Sequence, residues 1–152
     1  MKDIPLVSII VVTYNSSKYI LETLESAKDQ TYKNIELIVT DDSSKDNTVE
    51  LCKEWMQKNS ARFVRTEVIT VPQNSGIAAN CNRGVNAAEG TWVKFIAGDD
   101  ILTVDCVDAF VDFVKLNKEA MVVESKSLFF RYTFDESNFY QLREDLPEVI
   151  IV

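Results

Sequence analysis

Four apolar segments alternate with amphipathic segments along most of the chain. Leu6–Val12 is almost free of polar residues, which is typical of a strand buried on both faces of a parallel sheet. Three further strands are predicted at Ile35–Thr40, Phe63–Val71 and Thr91–Ile96. Each segment runs into a polar loop, so the pattern predicts a repeated order of strand, loop and helix.

Apolar residues at helical spacing follow each predicted strand. Helices are predicted over Ile20–Ala27, Val49–Met56, Ile77–Ala88 and Val104–Val114, after residue types that cap helix N-termini, namely Ser16, Ser17, Asp46 and Thr103. Gly90 is predicted to be a helix C-cap. Successive β-α units predict an α/β fold with a mostly parallel, doubly wound sheet, helices on both faces and right-handed crossovers.

This regularity fades after Lys118. Short strands are predicted at Met121–Val123 and Ser127–Phe134, and a turn at Asp135–Asn138. The chain closes with the apolar run Pro147–Val152, which resembles the beginning of another strand. We therefore expect the second region to be truncated.

Composition limits the classes of function. The chain has 152 residues, of which 46% are hydrophobic and 26% charged, as in a soluble globular domain. Its net charge of -8 argues against a nucleic-acid partner, because such proteins carry basic patches. Three widely spaced cysteines predict reduced thiols. The first apolar run is too short to span a bilayer, so we expect a cytoplasmic protein.

Polar residues stand directly after three of the predicted strands. They are Thr13-Tyr14-Asn15, the pair Asp41-Asp42 and the pair Asp99-Asp100. Ligands of open α/β sheets bind beyond the carboxyl ends of the strands, where these groups would meet. A helix needs only one capping carboxylate, and adjacent carboxylates repel each other. A divalent cation among the four carboxylates would offset that repulsion.

The sequence contains neither a Gly-rich dinucleotide-binding motif nor a P-loop. A phosphate ligand would therefore be held through metal. Mg²⁺ and Mn²⁺ suit this role, because they take one or two carboxylates from the protein and fill other positions with phosphate oxygens and water. Such an ion would also stabilise a departing diphosphate.

Four segments of the chain resemble glycosyltransferase family 2. Val7–Asn15 is similar to the opening strand of that family, and Ile35–Ser44 is similar to its second motif. Asn74–Gly84 with Ala87–Gly90 resembles its third signature, and Phe95–Asp100 occupies its DxD position. The segments come in the expected order over roughly residues 6–102, which makes the resemblance specific.

The resemblance implies a GT-A fold and metal-dependent, inverting transfer of a sugar. The donor would be a UDP-type nucleotide sugar, and the acceptor a hydroxyl of a saccharide or lipid-linked molecule. The implied donor-binding residues are Thr13, Tyr14, Asn15, Asp41, Asp42, Asn82 and Asp99, and the implied ligands of Mn²⁺ or Mg²⁺ are Asp99 and Asp100. Residues 1–118 would form the nucleotide-sugar-binding core, and 119–152 the start of an acceptor-side region whose remainder is missing.

Two positions depart from the family pattern. Ala97 stands where the family often has the first Asp of its DxD motif, and Cys81 where it often has Arg. The sequence has no histidine, so a general base within it would be a carboxylate. The acidic residues of the C-terminal region, Asp135, Glu136, Glu144 and Asp145, are candidates by position only, and solvated surface charge is the favoured interpretation. The catalytic residue stays unassigned.

Two alternatives remain open at this point. The chain could bind a nucleotide sugar without turnover, since the acceptor-side half has no match in it. A receiver-like signalling domain also places an acidic pair after a strand, but it is disfavoured because the third strand ends in Val71-Pro72-Gln73, without an Asp to phosphorylate. Self-association or peripheral membrane contact would require regions outside this chain.

Overall fold

The computed structural model describes residues 4–125, 129–130, 139–140 and 149–151. The chain divides into two compact units, Met1–Val111 and Asp112–Val152. This division falls earlier than the predicted boundary at Lys118. The functional roles expected of the two regions stay predictions.

The first unit is built around four strands. They are β1 (Val7–Thr13), β2 (Ile35–Asp41), β3 (Thr66–Thr70) and β4 (Trp92–Ala97). Its helices are α1 (Ile20–Lys28), α2 (Thr48–Asn59) and α3 (Ile77–Ala87), with a short 3-10 turn at Ser60–Arg62. The last helix, α4 (Cys106–Leu116), begins in this unit and ends in the second. β3 is shorter than predicted, because Phe63 and Val64 form a bend after the 3-10 turn and the strand begins only at Thr66.

All four strands are parallel, in the order β3-β2-β1-β4, which confirms the predicted doubly wound sheet. β1 and β2 lie in the middle of this sheet, as their unbroken apolar sequences predict. β2 is buried along its whole length. Along the outer strand β4, exposed residues alternate with residues that are at least partly buried, and Phe95 is 42% exposed.

Helices cover both faces of the sheet. Ile9 and Val11 of β1 belong to a core cluster with residues of α1, α2 and α4, among them Leu24, Trp55 and Val107. Ile10 faces the other way, toward α3. A Cβ at Gly84 of α3 would lie 2.4 Å from Cγ2 of Ile10, so glycine allows this helix to approach the sheet closely.

Predicted boundaries of α1, α3 and α4 are wrong. The N-cap position of α1 is Tyr19, without a side-chain cap bond, so neither Ser16 nor Ser17 caps this helix. α3 ends at Ala87, and Gly90 is not its C-cap: Gly90 N–H instead donates to Oγ of Ser8 and to Oε1 of Glu36, both at 2.9 Å. α4 begins at Cys106 rather than at the predicted cap Thr103. The carbonyl of Thr103 accepts from Cys106 N–H.

The amino end of β2 is held by a buried carboxylate. Glu36 accepts hydrogen bonds from Ser8 Oγ, from the N–H groups of Glu89 and Gly90, and from Nη1 of Arg65 at 2.9 Å. Burial opposes its ionisation, but these donors outweigh burial and lower the pKa of Glu36. Glu36 therefore ties β1, β2 and the α3–β4 loop together at the edge opposite to the polar strand ends.

The second unit contains two short antiparallel strand pairs. β5 (Val123–Ser125) pairs with β8 (Val149–Ile151), and β6 (Phe129–Phe130) pairs with β7 (Phe139–Tyr140). The turn predicted at Asp135–Asn138 lies outside the described residues. Among the helices of the described ranges, none has both the length and the apolar character needed to cross a membrane.

Candidate functional site

The parallel register brings the predicted polar residues to one edge of the sheet. Thr13 at the end of β1 pairs with Asp41 at the end of β2, and Val12 pairs with Ala97 of β4. Gly98 N–H donates to the carbonyl of Val12 at 2.9 Å, which places the Asp99-Asp100 turn directly after this register. The three strand ends therefore form one continuous edge.

Asp41 is buried and shapes the loop that follows it. Its Oδ2 accepts from Ser44 N–H at 2.8 Å, and its Oδ1 accepts from the Ser44 hydroxyl. Ser43, which lies between them, has φ +69°. Residues other than glycine rarely adopt this left-handed conformation, and here it belongs to a tight turn. The turn leaves part of the Asp41 acceptor capacity unused, since a carboxylate has about four lone-pair directions.

Asp42 is fully engaged within the chain. Its oxygens accept from Ser75 N–H at 2.9 Å, Ser75 Oγ at 2.8 Å, Gly76 N–H at 2.7 Å and Nη2 of Arg83 at 2.5 Å. Burial disfavours the charged form, but these hydrogen bonds prevail and lower the pKa of Asp42 to about 2. The carboxylate therefore fastens the β3–α3 loop to the end of β2.

The two acidic pairs lie at different parts of the edge. β1 separates β2 from β4, so the pairs stand two strand spacings apart, about 10 Å. Bonds from Mg²⁺ or Ca²⁺ to oxygen are only about 2.0–2.6 Å long. Within the described part of the chain, no group of three or more His, Cys, Asp or Glu side chains is placed to hold a metal. The expectation that one cation among all four carboxylates offsets their repulsion is therefore wrong. The charge of Asp42 is instead stabilised by Arg83 and by the hydrogen bonds from Ser75 and Gly76.

Asp99 and Asp100 follow β4 and are exposed. Asp100 N–H donates to the carbonyl of Ala97 at 3.1 Å, closing a turn. Although Asp100 is exposed, nearby protein atoms partly desolvate its carboxyl group. This desolvation and the negative charge of Asp99 raise the pKa of Asp100, and Lys94 offsets the rise only in part. This pair therefore has a repulsion that a bound cation would relieve. Ala97 itself is exposed at the same strand end.

The other predicted donor residues of β1 differ in their freedom to bind. Oγ1 of Thr13 is buried and has no hydrogen-bond partner among the described residues. The Tyr14 side chain is 48% exposed. Asn15 adopts φ +54°, and its Oδ1 accepts from Lys45 N–H at 2.7 Å. Thr13 thus has an unpartnered but buried hydroxyl and Tyr14 is exposed to a ligand, whereas Asn15 is already engaged in joining two loops.

The backbone N–H groups ahead of α1 are occupied by side chains of the β2–α2 loop. Asn15 N–H donates to Ser44 Oγ at 2.7 Å, and Ser16 N–H to Thr48 Oγ1 at 2.9 Å. Ser17 N–H donates to Asp46 at 3.1 Å. Phosphate often binds to free N–H groups at such a helix start, and here these three groups already have partners. This agrees with the lack of a Gly-rich phosphate motif.

Asp46 was predicted to cap α2, and it contacts the beginning of that helix. Its Oδ1 accepts from the N–H of Thr48, the first residue of α2, at 3.1 Å. Burial opposes its charge, but hydrogen bonds from Thr48 and Ser17 lower the pKa of Asp46 to about 2. The N-cap position of α2 is Asn47 rather than the predicted Asp46, and it has no side-chain cap bond. Asp46, one residue earlier, bonds the first N–H of the helix and also holds the β1–α1 loop.

On α3 the structure favours residues that the sequence interpretation passed over. Asn82, a predicted donor residue, is exposed. Asn80 is buried, and its Nδ2 donates to the carbonyl of Thr13 at 3.1 Å. Arg83 reaches Asp42. The signal that could have found them is helical spacing, because residues three apart share a face and Gly84 marks the face that touches the sheet.

The candidate general bases Asp135, Glu136, Glu144 and Asp145 lie outside the described residues. Cys52, on α2, is excluded as a nucleophile at neutral pH. Burial, together with the charges of Asp41 and Glu50, raises the pKa of the Cys52 thiol to about 12.

The parallel four-stranded sheet with polar residues at its carboxyl edge fits the GT-A class of fold. Residues 8–147 match the model of the family described as Glycosyl transferase family 2. The chain belongs to that family. The resemblance seen in its four motifs is thereby confirmed.

Two curated relatives illustrate the family. The chain is 33% identical over 135 residues to glycosyltransferase GlyG of Streptococcus pneumoniae, covering 89% of this chain and 42% of that protein. It is 34% identical, also over 135 residues, to WfaP of Escherichia coli, named a UDP-Glc:alpha-D-GlcNAc-diphosphoundecaprenol beta-1,3-glucosyltransferase, covering 89% of this chain and 46% of WfaP. The chain thus spans less than half the length of these relatives.

Solved structures agree on the fold. The structure of S. aureus TarS residues 1–349 in complex with UDP matches with a TM-score of 0.70 and 30% identity, over 82% of this chain and 36% of that chain. The mannosyltransferase PcManGT from Pyrobaculum calidifontis, in complex with GDP-Man and Mn²⁺, matches with a TM-score of 0.74 at 22% identity, over 83% of this chain and 36% of that chain. The second likeness concerns the fold alone.

Proposed function

We propose that this chain binds a UDP-type sugar donor and forms the donor side of an inverting glycosyltransferase with a saccharide or lipid-linked acceptor. The observation that carries the proposal is the shared edge of Thr13, Asp41 and the Asp99-Asp100 turn in a chain of glycosyl transferase family 2. The TarS complexes with UDP and with UDP-GlcNAc, at 30% and 28% identity, support the choice of a uridine donor.

The donor would lie across the strand ends, with its base and ribose near β1 and β2. The exposed Tyr14 ring offers a face for a nucleobase, and the unpartnered Thr13 hydroxyl offers a hydrogen bond. Asp41 retains free acceptor capacity for a base N–H or a ribose hydroxyl. Asn15 and Asp42 would contribute by holding the surrounding loops. Asn82 would contact the donor only from the exposed side of α3.

The diphosphate would lie at β4, where the residues fit a hard divalent cation. Asp99 and Asp100 are adjacent exposed carboxylates, and partial desolvation and the neighbouring charge already disfavour the ionisation of Asp100. Mn²⁺ or Mg²⁺ commonly takes one or two such ligands together with phosphate oxygens. When bound, the ion supplies charge neutralisation for the leaving diphosphate.

In the proposed reaction an acceptor hydroxyl attacks the anomeric carbon of the donor sugar. The new bond joins that carbon to the acceptor oxygen, the bond from the carbon to the diphosphate oxygen breaks, and UDP leaves with the electron pair. The acceptor proton passes to a general base, which would be a carboxylate if it belongs to this chain, because the chain has no histidine.

A second candidate is donor binding without turnover by the chain in isolation. It is favoured by the coverage of only 42% of GlyG, since the remainder of such a relative would hold other parts of an enzyme. Incubation of the chain with UDP-sugars and saccharide or lipid-linked acceptors separates the two candidates. Sustained release of UDP that depends on acceptor favours turnover.

UDP titration by calorimetry, with Mn²⁺ or with EDTA, tests the donor site. We expect UDP to bind more tightly with Mn²⁺, and Asp99→Ala and Asp100→Ala to remove this enhancement. Asp112→Ala is the matched control, because Asp112 is an exposed carboxylate of α4 whose partner in the structure is Lys115. An affinity for UDP that is the same with Mn²⁺ and with EDTA would refute the proposal. So would an enhancement by Mn²⁺ that is unchanged in both variants.

A further inference from the structure

We propose that Arg83 is a positioning residue for the nucleotide end of the donor site. It acts by holding the Ser75–Gly76 loop and the ends of β1 and β2 in one arrangement. The inference rests on the proposed donor function and goes beyond it, because it assigns a role to a residue that need not touch the donor.

The guanidinium of Arg83 is a junction between three segments. Nη1 donates to Ser75 Oγ at 2.7 Å in the β3–α3 loop. Nη2 donates to Asp42 at 2.5 Å, after β2, and to Asn80 Oδ1 at 3.0 Å on α3. The forked, planar geometry of arginine allows all three contacts from one side chain, which a point charge cannot match.

Asn80 extends this junction to the central strands. Its Oδ1 accepts from Thr40 Oγ1 at 2.5 Å as well as from Arg83, and its Nδ2 donates to the carbonyl of Thr13 at 3.1 Å. The same carbonyl of Thr13 accepts from Asp42 N–H at 3.1 Å. Arg83 is therefore connected through hydrogen bonds to the backbone of the residue whose hydroxyl is proposed to meet the donor.

The pairing of Arg83 with Asp42 has a counterpart at the other end of the same sheet. Arg65 pairs with buried Glu36 at 2.9 Å near the amino end of β2, while Arg83 pairs with buried Asp42 after its carboxyl end. The arginine side chains are 32% and 21% exposed, and their acidic partners 1% and 3%. The two pairs resemble each other in burial but lie at opposite edges of the sheet, and Arg65 also pairs with the more exposed Glu67 and Glu89.

This likeness supplies a matched control. Arg83→Gln and Arg65→Gln each leave a buried carboxylate without its arginine, so both should lower the thermal unfolding midpoint. Only Arg83→Gln should weaken UDP binding, because only Arg83 lies at the donor edge. We expect a roughly tenfold rise in the Kd for UDP at saturating Mn²⁺, as when displacement of the loop and strand ends costs the donor about one hydrogen bond. For Arg65→Gln the Kd should stay within about twofold of wild type.

A metal titration separates the two ends of the site. In Arg83→Gln the Mn²⁺ concentration for half-maximal UDP binding should stay within about twofold of wild type, whereas Asp99→Ala should raise it. Equal weakening of UDP by the two arginine variants, unchanged affinity in Arg83→Gln, or a clear shift in its Mn²⁺ requirement would each overturn the inference. Failure of the wild-type chain to bind UDP would defeat the proposed function itself, and the inference with it.

Arg83→Lys keeps the experiment decisive if Arg83→Gln does not fold. Lysine retains a cation beside Asp42 but cannot span Ser75 and Asn80 at the same time. We expect a Kd for UDP above that of the wild-type chain together with a nearly unchanged unfolding midpoint. A wild-type Kd in Arg83→Lys would overturn the inference, because it would show that charge alone suffices.

Discussion

Asn80 Nδ2 donates to the carbonyl oxygen of Thr13 across 3.1 Å, which ties the first turn of α3 to the end of β1. The two residues are separated by 67 positions in the sequence. Both residues are buried, so the side-chain amide of Asn80 does not face water. The position of Thr13, whose hydroxyl is proposed to contact the sugar donor, therefore depends on α3, a helix that does not follow β1 directly in the chain.

Asn80 and Asn82 form a natural pair for substitution. Asn80→Ala removes the bonds to Thr13, Thr40 and Arg83, so we expect a loss of about 1–3 kcal/mol in the free energy of unfolding and weaker UDP binding. Asn82 is exposed, so Asn82→Ala should leave the free energy of unfolding within about 0.5 kcal/mol. Urea unfolding and UDP titration of both variants measure this difference. Equal effects of the two substitutions would show that the buried hydrogen bonds of Asn80 contribute no more to stability and UDP binding than the exposed Asn82 does.

Gly90 and Gly76 are expected to tolerate alanine differently. A Cβ at Gly90 would lie 2.3 Å from Ser8 Oγ and 2.7 Å from Ser8 N, so strand backbone would have to move. A Cβ at Gly76 would meet nothing within 4 Å, but Gly76 has φ +89°, which is strained for alanine. Gly76→Ala should cost about 1–2 kcal/mol and Gly90→Ala more than that. Thermal unfolding of both variants would decide, and a milder Gly90→Ala would contradict the described packing.

Acid should destabilise the fold through Asp42. Its pKa falls from an ordinary 3.8 to about 2 on folding, so its ionised form favours the folded state. The stabilisation is complete above about pH 4 and is lost as the pH falls toward 2, and it amounts to at most about 2 kcal/mol, less whatever solvent screening removes. Urea unfolding between pH 7 and pH 2.5 should show a smaller decline for Asp42→Asn than for wild type. A parallel decline in both proteins would rule out this source.

Cys52 should resist alkylation in the folded chain. Its thiol is fully buried, and burial raises its pKa to about 12, so almost no thiolate forms at pH 8. Iodoacetamide labelling followed by mass spectrometry should leave Cys52 unmodified in buffer and label it in urea. Rapid labelling without urea would mean that α2 opens far more often than its packing indicates.

Local pattern was enough for the architecture of the first unit. The unbroken apolar runs of β1 and β2 predicted strands buried on both faces, and these are the two central strands. Hydrophobic periodicity depends on near neighbours in the chain, so it reports element type without tertiary information. Helix boundaries were predicted less accurately. Gly90 was predicted to be a helix C-cap, but a glycine is needed there because Ser8 lies too close for a side chain.

Strand ends were likewise sufficient to locate the candidate edge, since parallel strands deliver their carboxyl ends to the same side of a sheet. How the charges are shared there was decided only by the tertiary structure. Asp42 meets Arg83 across 41 positions, and Glu36 meets Arg65 across 29. Periodicity assigns residues to faces and edges, but the partner of a buried charge depends on which distant side chain the packing brings within hydrogen-bonding distance. For this reason four similar aspartates have different surroundings: Asp41 shapes the loop after β2, Asp42 pairs with Arg83, and Asp99 and Asp100 are exposed after β4.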